Sequence, residues 1–315
     1  MCSSGEFPST LEGFGYHYNE DGELRHIKTG LRFVFEVKPG DQNYNQRHYE
    51  ALGKVVDQTV YKLLIERMDL EKKLIPIDAK QSEASGFIFA SRDWKDNTNR
   101  LMIVIHGSGV VRAGQWSRRL LINDCLDTGS QLPYIKRAIE SGYSVLVLNS
   151  NENTEECGDK KRPIRGSETP FNHAEYVWRH FVSKSPAISI AIVAHSFGGA
   201  LTAHLAETFR KDFDHRVFAV ALTDSVHSQA DVKRLPHIVK IGRNWVQSAE
   251  PVGSKQSIRQ IAGDIERVSA GTSKHEETSS AAFDCVFTFL DEMYENQLHN
   301  TRAGKENKRQ EKKEM

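Results

Sequence analysis

The stretch that decides the fold is ISIAIVAHSFGG, residues 188–199. Its first half is mainly apolar, which is typical of a strand buried in a sheet. A turn with Ser196 at its tip follows, and residues 200–205 have the composition of a helix. The residues two before and two after the serine are Ala194 and Gly198, and larger side chains would collide across a sharp turn. The stretch therefore predicts a strand, a sharp turn and a helix, with the serine hydroxyl standing clear of the sheet.

This pattern resembles the nucleophile elbow of serine hydrolases, G-x-S-x-G. Ala194 in place of the first glycine is compatible with it, because a methyl group still fits. The alternative is a buried strand that ends in a turn of small residues and carries no chemistry. The motif alone does not decide between the two, so the decision depends on the rest of the chain.

Apolar strands alternate with amphipathic or polar helices on both sides of this stretch. We expect strands at residues 86–90, 101–105, 143–148, 188–193 and 217–222, and helices at 43–70, 131–141, 172–183 (capped by Asn172), 200–210 and 279–294. Such alternation is typical of a parallel sheet that is covered on both faces. The predicted fold class is α/β, a doubly wound and mostly parallel sheet of the α/β-hydrolase type.

The remaining segments set the boundaries of this fold. Two β-like runs within residues 15–36 flank Asp21-Gly22, which indicates a hairpin, and a helix follows as part of an N-terminal extension. Residues 149–170 are polar and rich in turn formers, so we expect a flexible surface loop there. We divide the chain into a disordered start (residues 1–10), a single domain (11–298) and a disordered basic tail (299–315).

Composition argues against several classes of function. The chain has 42 basic and 42 acidic residues, and the resulting zero net charge favours neither nucleic acid nor a membrane as a partner. Its four cysteines are dispersed without a C-x-x-C pair, so we expect no metal site and no cofactor. The first ten residues lack the features of a signal peptide, and no apolar run has the length of a membrane span. We expect an intracellular protein.

A second motif, His106-Gly107-Ser108-Gly109, follows the strand predicted at residues 101–105. In α/β-hydrolases, a glycine-rich loop at this place contributes a backbone N–H to the oxyanion hole. The residue after the nucleophile, Phe197, contributes the other. We therefore expect the hole to consist of the N–H of Phe197 and that of Gly107 or Ser108. A phosphate-binding loop is the competing interpretation, but the third glycine of a dinucleotide motif and the G-K-[ST] of a P-loop are missing.

The general base is expected after the nucleophile in sequence, in a loop before the last helix. His275 occupies that position. His204 lies within the helix after the elbow, and His227 comes early, in an irregular segment. His195 is next to Ser196, where its ring is expected to point away from the serine oxygen. His275 is therefore the predicted base.

Two carboxylates compete for the acid of the triad. Asp224 directly ends the apolar strand VFAVALTD, whereas Glu250 ends the later run NWVQSAE. The usual spacing in this fold favours Glu250, and the cleaner strand end favours Asp224. We prefer Asp224 slightly and keep Glu250 as the alternative; either carboxylate would fix the tautomer of His275.

Several long phrases resemble the Arb-two (argonaute-binding protein two) domain family, in its branch of vertebrate cotranscriptional regulators. The likeness covers about residues 7–295. It implies an α/β-hydrolase fold with Ser196 as the nucleophile. It also implies a role through argonaute proteins, chromatin remodellers and splicing factors, with residence in nucleus and cytoplasm. The phrases are FPSTLEGFGYHYNEDGELRHIKTG, IHGSGVVRAGQWSRRLLIN, VAHSFGG, VALTDSVH and VSAGTSKHE.

Two classes of function follow. The first is a regulator with a hydrolase fold that acts through those partners in alternative splicing or small-RNA-linked gene regulation. The second is a serine hydrolase of the esterase, thioesterase or amidase type, which uses Ser196, His275 and the acid on a small acyl substrate that the sequence does not name. The basic-aromatic motif of an RNA-recognition module is missing, so the sequence carries no strong signal for direct nucleic-acid contact.

Overall fold

The computed structural model describes residues 6–157, 160–256 and 262–314. The strands described are β1 Tyr16–Tyr18, β2 Leu24–His26, β3 Leu70–Ile75, β4 Gly86–Ser91, β5 Arg100–Ile105, β6 Tyr143–Val147, β7 Thr154–Cys157, β8 Lys160–Pro163, β9 Ser189–His195, β10 Val217–Thr223, β11 Gly242–Val246 and β12 Glu266–Ser269. The helices described are α1 Gln42–Glu66, α2 Arg118–Asn123, α3 Leu126–Gly129, α4 Leu132–Glu140, α5 Pro170–His180, α6 Phe197–Thr208, α7 Arg210–Arg216, α8 Gln229–Val232, α9 Pro236–Ile241, α10 Thr278–Ala281 and α11 Phe283–Glu314.

Within the described residues, eight strands form one mixed sheet in the order β12-β11-β10-β9-β5-β6-β4-β3. Strand β4 is antiparallel to both of its neighbours, and the other neighbouring pairs are parallel. Ala194 of β9 lies beside Ile105 of β5 and Leu222 of β10, so these three strands end at the same edge. The mostly parallel, α/β-hydrolase-like fold predicted from the sequence is confirmed, and this edge carries the loops of interest.

The sheet separates two apolar cores. All seven residues of β9 are buried. Its side chains alternate between the faces, so that Val193 packs in the core with α1 and α11, whereas Ile192 packs in the core with α5 and α6. Helices cover both faces, which explains why the central strands are apolar throughout rather than alternating.

The start of α5 differs from the prediction. The helix begins at Pro170, and Thr169 is its N-cap instead of Asn172. The backbone N–H of Asn172 donates to the Thr169 hydroxyl at 3.1 Å. Proline fits the first helical position, because its missing N–H would have no intrahelical partner there.

The segment 149–170, predicted as a loop, contains the antiparallel hairpin β7–β8. Glu155 and Arg162 face each other across its strands and form an ion pair at 2.6 Å. Cross-strand pairs of opposite charge stabilise a polar hairpin that has no apolar alternation for a sequence pattern to detect. The turn residues 158–159 lie outside the described residues.

The N-terminal hairpin is present as predicted. Strands β1 and β2 pair around a turn in which the N–H of Gly22 donates to the carbonyl of Asn19, and Gly22 has φ 73°. Of the predicted disordered start, residues 1–5 lie outside the described residues, while the ring of Phe7 lies 5.5 Å from that of Tyr44 in α1. Helix α11 extends to Glu314, into the predicted tail, and residue 315 lies outside the described residues. The domain boundaries stay predictions.

Candidate active site

Ser196 stands at a sharp turn between β9 and α6, with φ 52° and ψ −118°. The turn needs small neighbours. A methyl group added at Gly198 would stand 2.8 Å from the carbonyl oxygen of Ile105, and one added at Gly199 would stand 1.7 Å from the hydroxyl of Ser225. The geometry is therefore that of the strand–turn–helix motif expected from the sequence, and it requires a second glycine, Gly199, that the motif does not specify.

The loop after β5 lies against this turn. A methyl group added at Gly107 would stand 3.1 Å from Cβ of Ser196. The carbonyl of Gly107 accepts from Nδ2 of Asn151 at 3.0 Å and lies 2.7 Å from Nδ1 of His106. Because a trans peptide holds C=O and N–H in opposite directions, these contacts turn the N–H of Ser108 away from His106 and Asn151. The loop is thus held in one orientation beside the serine.

Phe197 provides the other predicted backbone donor. It is the first residue of α6 and follows Ser196 directly. The first N–H groups of a helix have no intrahelical acceptor, so they are available to an anionic oxygen. The structure thus places both Phe197 and Gly107 next to Ser196.

His275 begins a 3₁₀ helix after β12 and reaches Asp224, which follows β10. Its Nδ1 lies 2.6 Å from Oδ2 of Asp224. The carboxylate is held by a second contact, since Nε2 of Gln247 donates to Oδ2 at 2.6 Å. Because Nδ1 of His275 is hydrogen-bonded to the carboxylate of Asp224, Nε2 is the ring nitrogen that remains for proton transfer.

The two groups shift each other's ionisation. The hydrogen bond with Asp224 raises the pKa of His275 above 6.5, against the opposing effect of burial. Burial alone would raise the pKa of Asp224, but hydrogen bonds from His275 and Gln247 hold it below 3.8. The pair therefore favours an ionised carboxylate that stabilises a charged imidazole.

The other candidates for the acid and the base make different contacts. Glu250 is exposed, and among the described residues no hydrogen bond links its carboxylate to His275. His204 contacts Glu175 at 2.9 Å, and His227 contacts Asp264 at 2.9 Å. The structure thus brings Asp224, and not Glu250, to His275.

Ser196 and His275 share a cavity of about 240 Å³. Its walls are mainly apolar near Val111 and Trp116, and the exposed Arg119 at its rim forms an ion pair with Glu276 at 2.8 Å. Residues from α1, the loop after β5, α2, the end of β9, the turn at Ser196 and the 3₁₀ helix line it: Tyr49, Gly107, Ser108, Val110, Val111, Trp116, Ser117, Arg118, Arg119, His195, Ser196, His275 and Glu276. A cavity smaller than the roughly 300–1,000 Å³ of drug-sized sites suits a compact ligand.

Two features of this site were missed from the sequence. His195, whose ring we expected to point away from the serine oxygen, lines the cavity that Ser196 lines, and its ring centroid lies 4.7 Å from that of His275. In addition, Asp57 of α1 forms a buried ion pair with Arg118 at 2.8 Å. A histidine directly before the nucleophile was a visible signal for the first feature, whereas the second joins residues 61 positions apart without any local signature.

Within the described residues 6–157, 160–256 and 262–314, no cluster of three or more His, Cys, Asp or Glu side chains is suited to a metal ion. Among the helices of those residues, none combines the length and the apolar character that a membrane crossing requires.

Sequence comparisons point to one family. The Arb2 domain pattern matches residues 7–252. A cotranscriptional regulator ARB2A homolog from Xenopus tropicalis is 41% identical, with the alignment covering 95% of this chain and 82% of that protein. The cotranscriptional regulator ARB2A of Homo sapiens is also 41% identical, over 92% of this chain and 82% of that protein.

Among solved structures, the histone deacetylase Clr3 matches with a TM-score of 0.51 over 85% of this chain and 42% of that chain. At 12% sequence identity, this likeness concerns the fold alone. The family pattern and the two regulators together cover most of the chain, from the N-terminal hairpin to the last helix. The chain belongs to the Arb2 domain family.

Proposed function

We propose that this chain is a regulator with an α/β-hydrolase fold whose site hydrolyses a small ester, thioester or amide. Ser196 is the nucleophile, His275 the general base and Asp224 the acid that orients it. The observation that carries the enzymatic part is the 2.6 Å contact between His275 and Asp224 beside a cavity that Ser196 lines. A serine, an oriented imidazole and two backbone donors are the parts that acyl transfer requires.

The proposed reaction has two halves. Oγ of Ser196 attacks the carbonyl carbon while Nε2 of His275 takes its proton, and Asp224 stabilises the imidazolium. The negative oxygen is held by the N–H of Phe197 and that of Gly107 or Ser108. The tetrahedral species collapses, the leaving group departs with the proton from His275, and a water then releases the acyl group from Ser196 by the same steps.

The test is hydrolysis of p-nitrophenyl acetate by the wild type and four variants. Ser196→Ala and His275→Ala are expected to abolish turnover above background. Asp224→Asn is expected to lower kcat by on the order of 10³–10⁴, because the imidazole loses its tautomer and its counter-charge. Glu250→Gln, whose side chain is exposed, is the matched control and is expected to hydrolyse like the wild type. Turnover that persists in Ser196→Ala would contradict the proposal.

The regulatory part is supported by the relatives. Two proteins that each match more than 90% of this chain are named cotranscriptional regulators. We propose that this chain acts likewise, through argonaute, chromatin and splicing partners, in the nucleus and the cytoplasm. A fold that carries a catalytic site can also act by contact, so the two roles are compatible.

Pull-down with the tagged chain from nuclear and cytoplasmic extracts tests this role. Immunoblots for argonaute, chromatin remodellers and splicing factors are compared between the wild type, Ser196→Ala and a tagged α/β protein of another family. Retention of these factors by both forms of the chain, and not by the control, is expected. Recovery no higher than that of the control would contradict the partner assignment while leaving the hydrolase proposal intact.

A further inference from the structure

Three asparagines alternate with other residues along the segment that follows β6: Asn149, Asn151 and Asn153. Asn149 is buried, and the other two are partly buried. The side chains of Asn149 and Asn151 bind the main chain of the loop after β5, residues 106–113, which lies beside Ser196. Part of the segment that was predicted as a surface loop is therefore in contact with the candidate site.

Asn151 joins two points of this loop. Its Nδ2 donates to the carbonyl of Gly107 at 3.0 Å and to that of Val111 at 3.0 Å. Because both partners are acceptors, the side-chain amide satisfies them only when its nitrogen faces the loop. Gly107 and Val111 are four residues apart, so a single side chain from another segment fixes the path of the main chain between them.

The bond to Gly107 acts on the peptide group next to the serine. The carbonyl of Gly107 and the N–H of Ser108 belong to one planar peptide, in which they point in opposite directions, so a bond that holds the carbonyl also holds the N–H. His106 contacts the same carbonyl, but it belongs to the loop and moves with it, whereas Asn151 does not. The approach is close, since a methyl group added at Gly107 would stand 3.1 Å from Cβ of Ser196.

The segment that carries Asn151 is itself fixed by buried contacts. The N–H of Asn149 donates to Nε2 of His173 in α5 at 3.1 Å, and its side-chain oxygen accepts from the N–H of Ala113 at 2.9 Å. Burial, with a further effect of His106, lowers the pKa of His173 to about 3, so the ring is uncharged and its Nε2 accepts. Asn151 therefore links the loop after β5 to a support that is held by a helix.

We propose that Asn151 is a positioning residue of the site, which holds the Gly107–Ser108 peptide in place beside Ser196 without contacting the substrate. Of the described residues, those that line the cavity include Gly107 and Ser108 but not Asn151. A hydrogen-bond donor of the oxyanion hole loses much of its effect when it is displaced by about 1 Å. This inference rests on the proposed hydrolase function and adds to it a residue outside the cavity.

The test compares the same substitution at two of the three asparagines. Nδ2 of Asn153 also donates to two carbonyls, those of Ser150 at 3.0 Å and Ser167 at 2.7 Å, but neither belongs to the loop after β5. Asn151→Ala and Asn153→Ala thus each remove two bonds to the main chain from a partly buried side chain. Asn153→Ala is therefore the matched control for a purely structural effect.

We expect Asn151→Ala to lower kcat for p-nitrophenyl acetate on the order of 10²-fold, with a much smaller change in KM. Asn153→Ala is expected to keep the kcat of the wild type, even where its urea midpoint falls as far as that of Asn151→Ala. Asn151→Asp and Asn153→Asp repeat the comparison with side chains of unchanged size, should an alanine variant fail to fold. Asn151→Asp lacks the donor and is expected to lower kcat at least as much as Asn151→Ala.

Amide hydrogen exchange provides a readout that needs no turnover. Exchange at residues 107–111 is expected to be faster in Asn151→Ala than in the wild type or Asn153→Ala, because the loop loses both bonds to Asn151. Unchanged exchange there would overturn the inference.

The kinetic failures are distinguishable. Absence of Ser196-dependent turnover in the wild type would overturn the hydrolase proposal and this inference with it. Turnover that depends on Ser196 but has the same kcat in Asn151→Ala and Asn153→Ala would overturn the inference alone.

Discussion

At the scale of single residues, backbone strain is concentrated at the candidate site. Within the described residues, the non-glycine residues with left-handed φ are Asp69, Ser196 and Asp224, and the last two belong to the site. Such a conformation costs about 1–3 kcal/mol and persists only where neighbours hold it. Here the N–H of Ser196 donates to the carbonyl of Thr223, and that of Asp224 donates to the carbonyl of Trp245. Strands β10 and β11 therefore hold both residues in place.

The ionisation of His275 predicts how the site responds to pH. Its contact with Asp224 raises the pKa of His275 above 6.5, and only the uncharged ring can accept the serine proton. Activity is therefore expected to be low in acid and to rise as the pH passes that elevated pKa. Asp224→Asn removes the cause of the shift, so the residual activity should rise at a lower pH. The measurement is the rate of phosphonate labelling of Ser196 between pH 5 and 9.

Glu276→Gln is the control for this profile, since the pKa of His275 is also raised, to a lesser extent, by Glu276. Its effect on the midpoint of the pH profile of labelling should be smaller than that of Asp224→Asn. Equal midpoints in the wild type and Asp224→Asn would mean that Asp224 does not set the ionisation of the base.

Gly199 provides a prediction about packing. Alanine in place of a helical glycine ordinarily stabilises a protein by about 1 kcal/mol. At Gly199 the added methyl group would stand 1.7 Å from the hydroxyl and 2.6 Å from Cβ of Ser225. We expect Gly199→Ala to lower the free energy of unfolding by about 1–3 kcal/mol, measured by urea denaturation. Ala200→Gly, the next residue on α6, serves as the control; a stabilised Gly199→Ala would refute the close approach.

At the scale of elements, α1 holds the loop that carries the proposed oxyanion donors. Arg118, at the start of α2, donates hydrogen bonds to both carboxylate oxygens of Asp57 and to the carbonyl of Val110, the last at 2.8 Å. Nε2 of Gln115 donates to the same carboxylate at 2.7 Å. Gly53 leaves the room for the arginine, since a methyl group there would stand 2.8 Å from its Cδ. The N-terminal extension is therefore a structural support of the site.

Breaking this support is expected to lower the free energy of unfolding. Asp57→Ala would leave the buried Arg118 without its counter-charge and should lower the free energy of unfolding by about 3–5 kcal/mol. The double variant Asp57→Leu with Arg118→Met removes both charges and should be much closer to the wild type in stability. Asp214→Ala breaks the exposed pair of Asp214 and Arg210 on α7 and is the matched control, with a far smaller effect because solvent screens that pair. The measurement is urea denaturation.

Equal stability of Asp57→Ala and Asp214→Ala would contradict the buried-pair account. The double variant provides a second check, because phosphonate labelling of Ser196 should slow in it even when it is stable. The loop then lacks its contact between Arg118 and Val110.

At the scale of the whole molecule, the order of the strands explains which parts could be predicted. Strands β5, β9 and β10 are apolar and central, and their ends bring Gly107, Ser196 and Asp224 to one edge. Local periodicity and the order of motifs were sufficient to predict these strands and the loops at their ends. Their proposed roles stay predictions, because geometry alone does not test chemistry.

The features that could not be predicted depend on contacts or pairings that leave no local pattern in the sequence. The choice between Asp224 and Glu250 required the path of the chain after β10 and β11, which decides which carboxylate meets His275. The hairpin β7–β8 consists mainly of charged residues, a composition that resembles a loop. The pairing of Asp57 with Arg118 joins α1 of the N-terminal extension to the start of α2.

The last helix provides a prediction about the extent of the fold. Ser189 donates to Gln297 at 2.8 Å, and the hydroxyl of Tyr294 donates to Asn99 at 2.9 Å. A chain that ends at Asn300 keeps these contacts and is expected to unfold at the same urea concentration as the full chain. A chain that ends at Met293 loses them and should be about 1–2 kcal/mol less stable. Equal stability of the two truncated chains would contradict a structural role for these contacts.

The central claim is that Ser196 is an activated nucleophile, and covalent labelling tests it most directly. The purified wild type is treated with a fluorophosphonate, and the modified peptide is located by mass spectrometry. The account predicts one adduct, on Ser196, that is lost in Ser196→Ala and strongly reduced in His275→Ala and Asp224→Asn. A folded wild type that remains unlabelled, or an adduct that forms equally well in His275→Ala, would contradict it.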